Sequence, residues 1–227
     1  MPSSGNRQKG FFSTIPIKDV RRDKKIYQSG KEAKILTKDE ANREFDLTTW
    51  SKLAHSGSIN AITGLSQMVS QEIRVTALSL EEVLARNVTS LIGKAEDHVV
   101  GIYLSFSGNT SGHIMLAFQP KIAFELVDMA MGIPLGTTQE LGEMEQSVLG
   151  EIGNVVGTFF LNTVANDAGQ CLSPSPPMVS VNTVGAIMGS VMPEVMAQDR
   201  PIFGIKLSFS TAEQGRIEGR FLVLPVG

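Results

Sequence analysis

A hydroxyl, a carboxylate, an amide and a second hydroxyl stand at Ser147, Glu151, Asn154 and Thr158, spaced i, i+4, i+7 and i+11. In a helix that spacing lines them up as one polar stripe. Val148, Ile152, Val155 and Phe159 follow the same spacing one residue later, as an apolar face would. A polar stripe is commonly plain solvent-facing surface, but Gly150, Gly153 and Gly157 lie in the same stretch. Each costs a helix interior about 1 kcal/mol relative to Ala. Retained glycines of this kind permit close approach, either of a partner presented with the polar groups or of another element of the core.

Other chemistries are excluded by the same residues. Ser147 lacks the pattern of a nucleophile elbow. The three glycines fit neither the dinucleotide nor the phosphate-loop spacing, and they sit within the helical stretch instead of following a strand. His55, His98 and His113 are dispersed and Cys171 is the single cysteine, so no metal-ligand spacing is present. No cofactor site is expected.

The elements that must position the stripe are legible from periodicity. One long helix is expected from about 138 to 167, with Gln139, Glu140, Glu143 and Glu145 placing negative charge at its N-terminal end. A second long helix is expected from about 48 to 71. The segment 101–107 recurs as 204–210, changed only at its central residue, and Gly112, Ile114 and Phe118 then map onto Gly215, Ile217 and Phe221. Two β-hairpins with loops of equal length follow from that unbroken match. Val100, Ile102, Leu104 and Phe106 face one way in the first, and Phe203, Ile205, Leu207 and Phe209 in the second.

Between each long helix and its hairpin lie a strand candidate (72–77; 177–182) and a short helix candidate (80–86; 185–196). A further helix, 120–131, joins the halves. The expected fold is α/β, more narrowly α+β: duplicated helix-strand-helix-hairpin halves with pseudo-two-fold symmetry, two long helices packed on a joined β-sheet. The repeats span about 47–135 and 136–227.

Composition sets the outer bounds. The 227 residues carry a formal net charge of −3 and are 42% hydrophobic and 19% charged, as expected of a soluble globular chain. Residues 1–46 hold 11 of the 20 Lys and Arg but 7 of the 23 Asp and Glu, so a basic extension precedes an acidic domain over 47–227. The extension has few apolar residues beyond Phe11, Phe12, Ile15, Ile17, Ile26 and Tyr27, and a flexible, weakly structured segment is expected there. The acidic remainder points to a protein partner and away from nucleic acid. No run of about 18 apolar residues and no secretory leader is present, so no membrane insertion and a cytoplasmic, reducing location are expected.

Ser147-x3-Glu151-x2-Asn154, followed after 22 residues by Pro177, resembles the pattern of the CheC/CheX/FliY family of chemotaxis phosphatases. The tetrapeptide Glu151-Ile152-Gly153-Asn154 is its most specific piece. Residues 58–67 are similar to the first long helix of CheC, Val99–Phe118 to the following hairpin, and Phe221–Pro225 to the family's ending, for a coverage of roughly 47–225. The resemblance implies hydrolysis of the phospho-aspartate of a CheY-type response-regulator receiver. It makes Glu151 and Asn154 catalytic, with Ser147 and Pro177 supporting. Asn154 would position a water for in-line attack and Glu151 would pair with a receiver lysine. Mg²⁺ is expected in the receiver and no cofactor in this chain.

The family carries up to two sites, one per long helix. An offset of 99 sets Thr48, Lys52 and His55 opposite Ser147, Glu151 and Asn154, and Lys52 has the wrong sign to meet a lysine. The first site is therefore expected to be degenerate. The alternative the resemblance leaves open is a non-catalytic CheC-like or FliY-like adaptor holding a receiver, a CheD-like deamidase or flagellar switch proteins. With the sequence ending at Gly227, the C-terminal switch domain of FliY is not expected, which weakens the FliY-like alternative.

Overall fold

The protein is described from a computed structural model, which covers residues 24–29, 32–169, 171–197, 201–211 and 219–226. The chain divides into two compact units, Met1–Thr48 and Thr49–Gly227. In the first, β1 (Lys24–Ser29) and β2 (Glu32–Thr37) form an antiparallel hairpin with Ile26 opposite Ile35. Helix α1 (Lys38–Val69) begins there and continues into the second unit. Composition suggested little regular structure up to residue 46, yet residues 24–29 and 32–46 carry a hairpin and the first turns of α1, ten residues before the expected start. Phe11, Phe12, Ile15 and Ile17 lie outside the described residues.

The second unit continues through β3 (Ile73–Leu84), a 3₁₀ helix (Ala85–Leu91), β4 (His98–Gly108), β5 (Ser111–Phe118) and α2 (Pro120–Met131). It then runs through α3 (Glu143–Ala168), β6 (Leu172–Pro174), β7 (Met178–Thr183), α4 (Val184–Val191), α5 (Pro193–Met196), β8 (Pro201–Thr211) and β9 (Gly219–Val226). Seven strands form one antiparallel sheet in the order β3-β8-β9-β5-β4-β6, and β7 also pairs with β4. The mixed α/β class with helices packed on a joined sheet is as the sequence implies.

Strand alternation separates two cores. Val100, Ile102, Leu104 and Phe106 of β4, with Ile205, Leu207 and Phe209 of β8, lie in the core that also takes Leu65 of α1, Leu126 of α2 and Ile152 and Phe160 of α3. Met115, Ala117, Leu222 and Leu224 belong to the other, with residues of the 3₁₀ helix, α4 and α5. Phe203 lies outside the residues whose side chains are described.

The pairing follows one pattern in both halves. Leu80 opposes Ile205 and Val179 opposes Ile102, while Met115 opposes Leu222 at the sheet's centre. The register shift near Val75 and Ala77 in β3 has its counterpart at the break between β6 and β7. Helix ends agree too: Ser70 after α1 has φ 52° and Gly169 after α3 has φ 62°, the left-handed residue that closes a helix.

Three expectations change. Leu104 pairs with Ile114, but its counterpart Leu207 pairs with Phe221 in place of Ile217, so the second hairpin's connection is four residues longer. An even insertion keeps the period-two alternation, and lengthening a turn costs little closure entropy, so the gapless sequence match conceals it. The helix expected at 80–86 is instead the end of β3, paired as far as Leu84 with Pro201, and the start of the 3₁₀ helix. Ladder pairing to β8 overrides the local pattern. The helix expected at 185–196 is broken into α4 and α5 at Pro193, which has no amide hydrogen to continue the ladder.

Helix α3 starts five residues later than the expected 138 because Gly136, Thr137 and Thr138 are held by the buried Asp128 carboxylate. Their backbone amides donate to it at 2.7, 3.1 and 2.9 Å.

Candidate functional site

Helix α3 is long and apolar enough by length and composition to cross a membrane, and in this fold its apolar face lies on β4. Leu149, Ile152, Val156, Phe160 and Val164 are buried. That face is set one residue from the expected one: Val148 and Val155 are half-buried and Phe159 is 36% exposed. Phe159 and Val155 line the seam with α1, where a Cβ on Gly64 would lie 3.1 Å from the Phe159 ring and 3.2 Å from Val155. Two hydrogen bonds close the seam, Ser56 Oγ to Asp167 Oδ2 at 2.8 Å and Asn60 Nδ2 to Thr163 Oγ1 at 2.9 Å.

Two of the three glycines in α3 have a packing cause. A Cβ on Gly153 would run into Ile102, and one on Gly157 would come within 2.8 Å of Leu104. These glycines let the helix settle onto the sheet. The polar stripe therefore points outward: Ser147 and Glu151 are exposed, and Asn154 and Thr158 are half-buried. Ser147 Oγ donates back to the Glu143 carbonyl at 2.9 Å. Among the described residues, the side chains of Glu151 and Asn154 make no hydrogen bond or ion pair.

Pro177 comes to the same helical turn from a different element. It follows β6 where the chain steps over one residue of register before β7, and proline cannot donate to the ladder at that step. Ser175 fixes the step: its amide donates to the Ser105 carbonyl at 2.8 Å and its Oγ accepts from the Ser105 amide at 3.0 Å. Pro177 is thereby set 3.5 Å from the Cβ position of Gly153 and 3.8 Å from that of Gly150. The structure thus brings Pro177 beside the turn that bears Glu151 and Asn154.

On α1, Lys52 and His55 are exposed. Spacing from the matching helix ends puts them at the places of Glu151 and Asn154, with Leu78 at that of Pro177. Thr48 falls in the first unit, its side chain outside the described residues. Met144, 63% exposed, lies three residues before Ser147 on the same side of α3. Among the described residues no group of three His, Cys, Asp or Glu is placed to hold a metal.

No protein-family model matches the chain. It is 21% identical over 186 residues to the CheY-P phosphatase CheC of Bacillus subtilis, covering 81% of this chain and 89% of that protein. The crystal structure of Thermotoga maritima FliY superposes with a TM-score of 0.62 at 19% identity, over 83% of this chain and 90% of that one. This is the CheC-like fold. The CheX chain of a CheX–CheY–BeF₃–Mg²⁺ complex from Borrelia burgdorferi has it as well, with a TM-score of 0.53 at 15% identity over 75% of this chain and 96% of that one. So does the FliM middle domain of H. pylori, with a TM-score of 0.55 at 14% identity over 83% of this chain and 92% of that one.

Proposed function

We propose that the chain is a phosphatase of chemotaxis signalling that removes the phosphoryl group from the aspartate of a CheY-type receiver, using one site on α3. Glu151 and Asn154 carry the reading. They stand three residues apart, without a side-chain partner among the described residues and reachable from solvent, with Pro177 seated beside their turn. Similarity to the CheY-P phosphatase CheC supports it.

The chemistry asks little of such a site. A phosphorylated receiver brings a reactive acyl phosphate and its own Mg²⁺, so the partner has only to anchor itself and orient a water in line. The Asn154 amide can accept from that water and donate to a phosphoryl oxygen. Glu151 supplies a carboxylate for a receiver lysine next to the phosphoryl group. Lys52 and His55 on α1 offer neither group, so one helix acts. The protein would work in the cytoplasm, and this chain would hold no cofactor.

A second reading follows from the likeness to the FliM middle domain: an adaptor that holds the receiver, a CheD-like deamidase or a switch component without hydrolysing anything. Phosphate release from a phosphorylated CheY-type receiver separates the two. A phosphatase shortens the receiver's phosphorylated lifetime, and Lys52→Ala and His55→Ala leave that effect intact. An adaptor binds the receiver and leaves the lifetime unchanged. A large loss from either α1 substitution would mean that the first helix acts too.

A further inference from the structure

The third glycine of α3 has no such packing cause. A Cβ on Gly153 or Gly157 meets the side chains of β4, but at Gly150, beyond the helix's own backbone and among the described residues, the single neighbour within 4 Å is Pro177 Cγ at 3.8 Å, an ordinary van der Waals contact. None of the described residues forbids an alanine here, and helix propensity favours one. The position is nevertheless bare, and it is half-exposed.

Its surroundings say where that bareness faces. Gly150 lies three residues after Ser147 and four before Asn154, which puts it between them on one helical face, adjoining Glu151. Pro177 borders it on the sheet side. Any surface that touches Glu151, Asn154 and Pro177 together must pass over the Gly150 backbone. On α1 the matching position is Ser51, in the helix that has Lys52 and His55 for the Glu and Asn. The glycine and the polar pair are present together on one helix and absent together from the other.

We propose that Gly150 is a positioning residue, its missing Cβ leaving the clearance that lets the loop bearing the receiver's phospho-aspartate seat against Glu151 and Asn154. This rests on the phosphatase reading and extends it: the receiver's backbone approaches α3 at Gly150, and a methyl group there holds it off. The fold gives up helix stability at this position in return for access.

The test compares wild type with Gly150→Ala by thermal unfolding, by steady-state dephosphorylation of a phosphorylated CheY-type receiver, and by binding to that receiver loaded with beryllofluoride and Mg²⁺. Gly150→Ala is expected to unfold at a higher temperature than wild type. It should raise KM by about tenfold or more with kcat changed less than about twofold, since it removes binding and not chemistry. The Kd for the beryllofluoride-loaded receiver should rise in the same ratio. Asn154→Ala, by contrast, loses kcat.

A Gly150→Ala protein with wild-type KM and Kd overturns the proposal and leaves the phosphatase reading standing. So does a lowered unfolding temperature, which would mean that the fold itself requires the glycine. A wild type that binds the loaded receiver without hydrolysing the phosphorylated one overturns the phosphatase reading, and the Kd comparison still decides the role of Gly150. A wild type that neither binds nor hydrolyses overturns both.

Discussion

Gly153 of α3 and Ile102 of β4 approach so closely that no Cβ fits between them. Ile102 is fully buried and paired on both sides, with Leu116 and Val179, so it has little freedom to yield. The depth to which α3 sinks onto the sheet is set at this contact, and with it the direction of Glu151 and Asn154 and the nearness of Pro177.

Gly153→Ala is accordingly expected to destabilise the protein. The gain in helix propensity is about 1 kcal/mol, and overpacking a dense core costs about 1–3 kcal/mol and at times more. Urea unfolding checks the sign. A midpoint at or above that of wild type would mean that α3 has room to rise off β4.

Asp128 anchors the turn that leads into α3. Burial by itself pushes its carboxyl up, but hydrogen bonds from Thr138 and from the Gly136 and Thr137 amides outweigh it and hold the group below its ordinary value of 3.8. A pKa lowered by folding adds stability that is fully present above the unfolded value and is lost as pH falls through the folded one. Asp128→Ala should cost about 1–3 kcal/mol for the buried Thr138 amide left unpaired, the exposed Gly136 and Thr137 amides being open to water. Measured by denaturant unfolding, the gap from wild type should be full at neutral pH and narrow below about pH 4. A gap independent of pH would contradict this origin.

The other face of the sheet holds a polar group of its own. Tyr103 Oη lies 2.9 Å from His113 Nδ1, and His113 Nε2 lies 3.5 Å from Glu194 Oε1. Burial lowers the His113 pKa from 6.5, against a smaller upward pull from Glu194. Burial, and then the charge of Glu194, raise that of Tyr103. The unfolded chain therefore protonates its histidine first, and stability present above the ordinary histidine value falls as pH drops through the histidine range. His113→Gln should flatten the stability profile between about pH 7 and pH 5. An equal slope in both proteins would exclude His113 as its source.

Much of the fold is legible in residue order because period-two alternation records which side of a strand is buried. Val100, Ile102, Leu104 and Phe106 lie in the core expected of them. Helix α2 is found at its expected bounds, with Pro120 at its start and Gly132 at φ 66° closing it. What residue order conceals is what pairing decides. The four-residue extension of the second hairpin leaves the alternation intact, and the end of β3 carries a helix-like local pattern that its ladder with β8 overrides. At the site, the stripe and its spacing can be read directly, but the separate causes of Gly150, Gly153 and Gly157 cannot. They depend on Ile102, Leu104 and Pro177, residues far away in the chain.

The most direct test of the proposed activity is the decay rate of a phosphorylated CheY-type receiver with wild-type protein and with Asn154→Ala and Glu151→Ala, each variant first confirmed as folded by circular dichroism. Wild type should speed phosphate loss, and each substitution should return the rate to that of the receiver alone while leaving the fold intact. Decay unchanged by wild type, or accelerated equally by wild type and both variants, would contradict the assignment of catalysis to this face of α3.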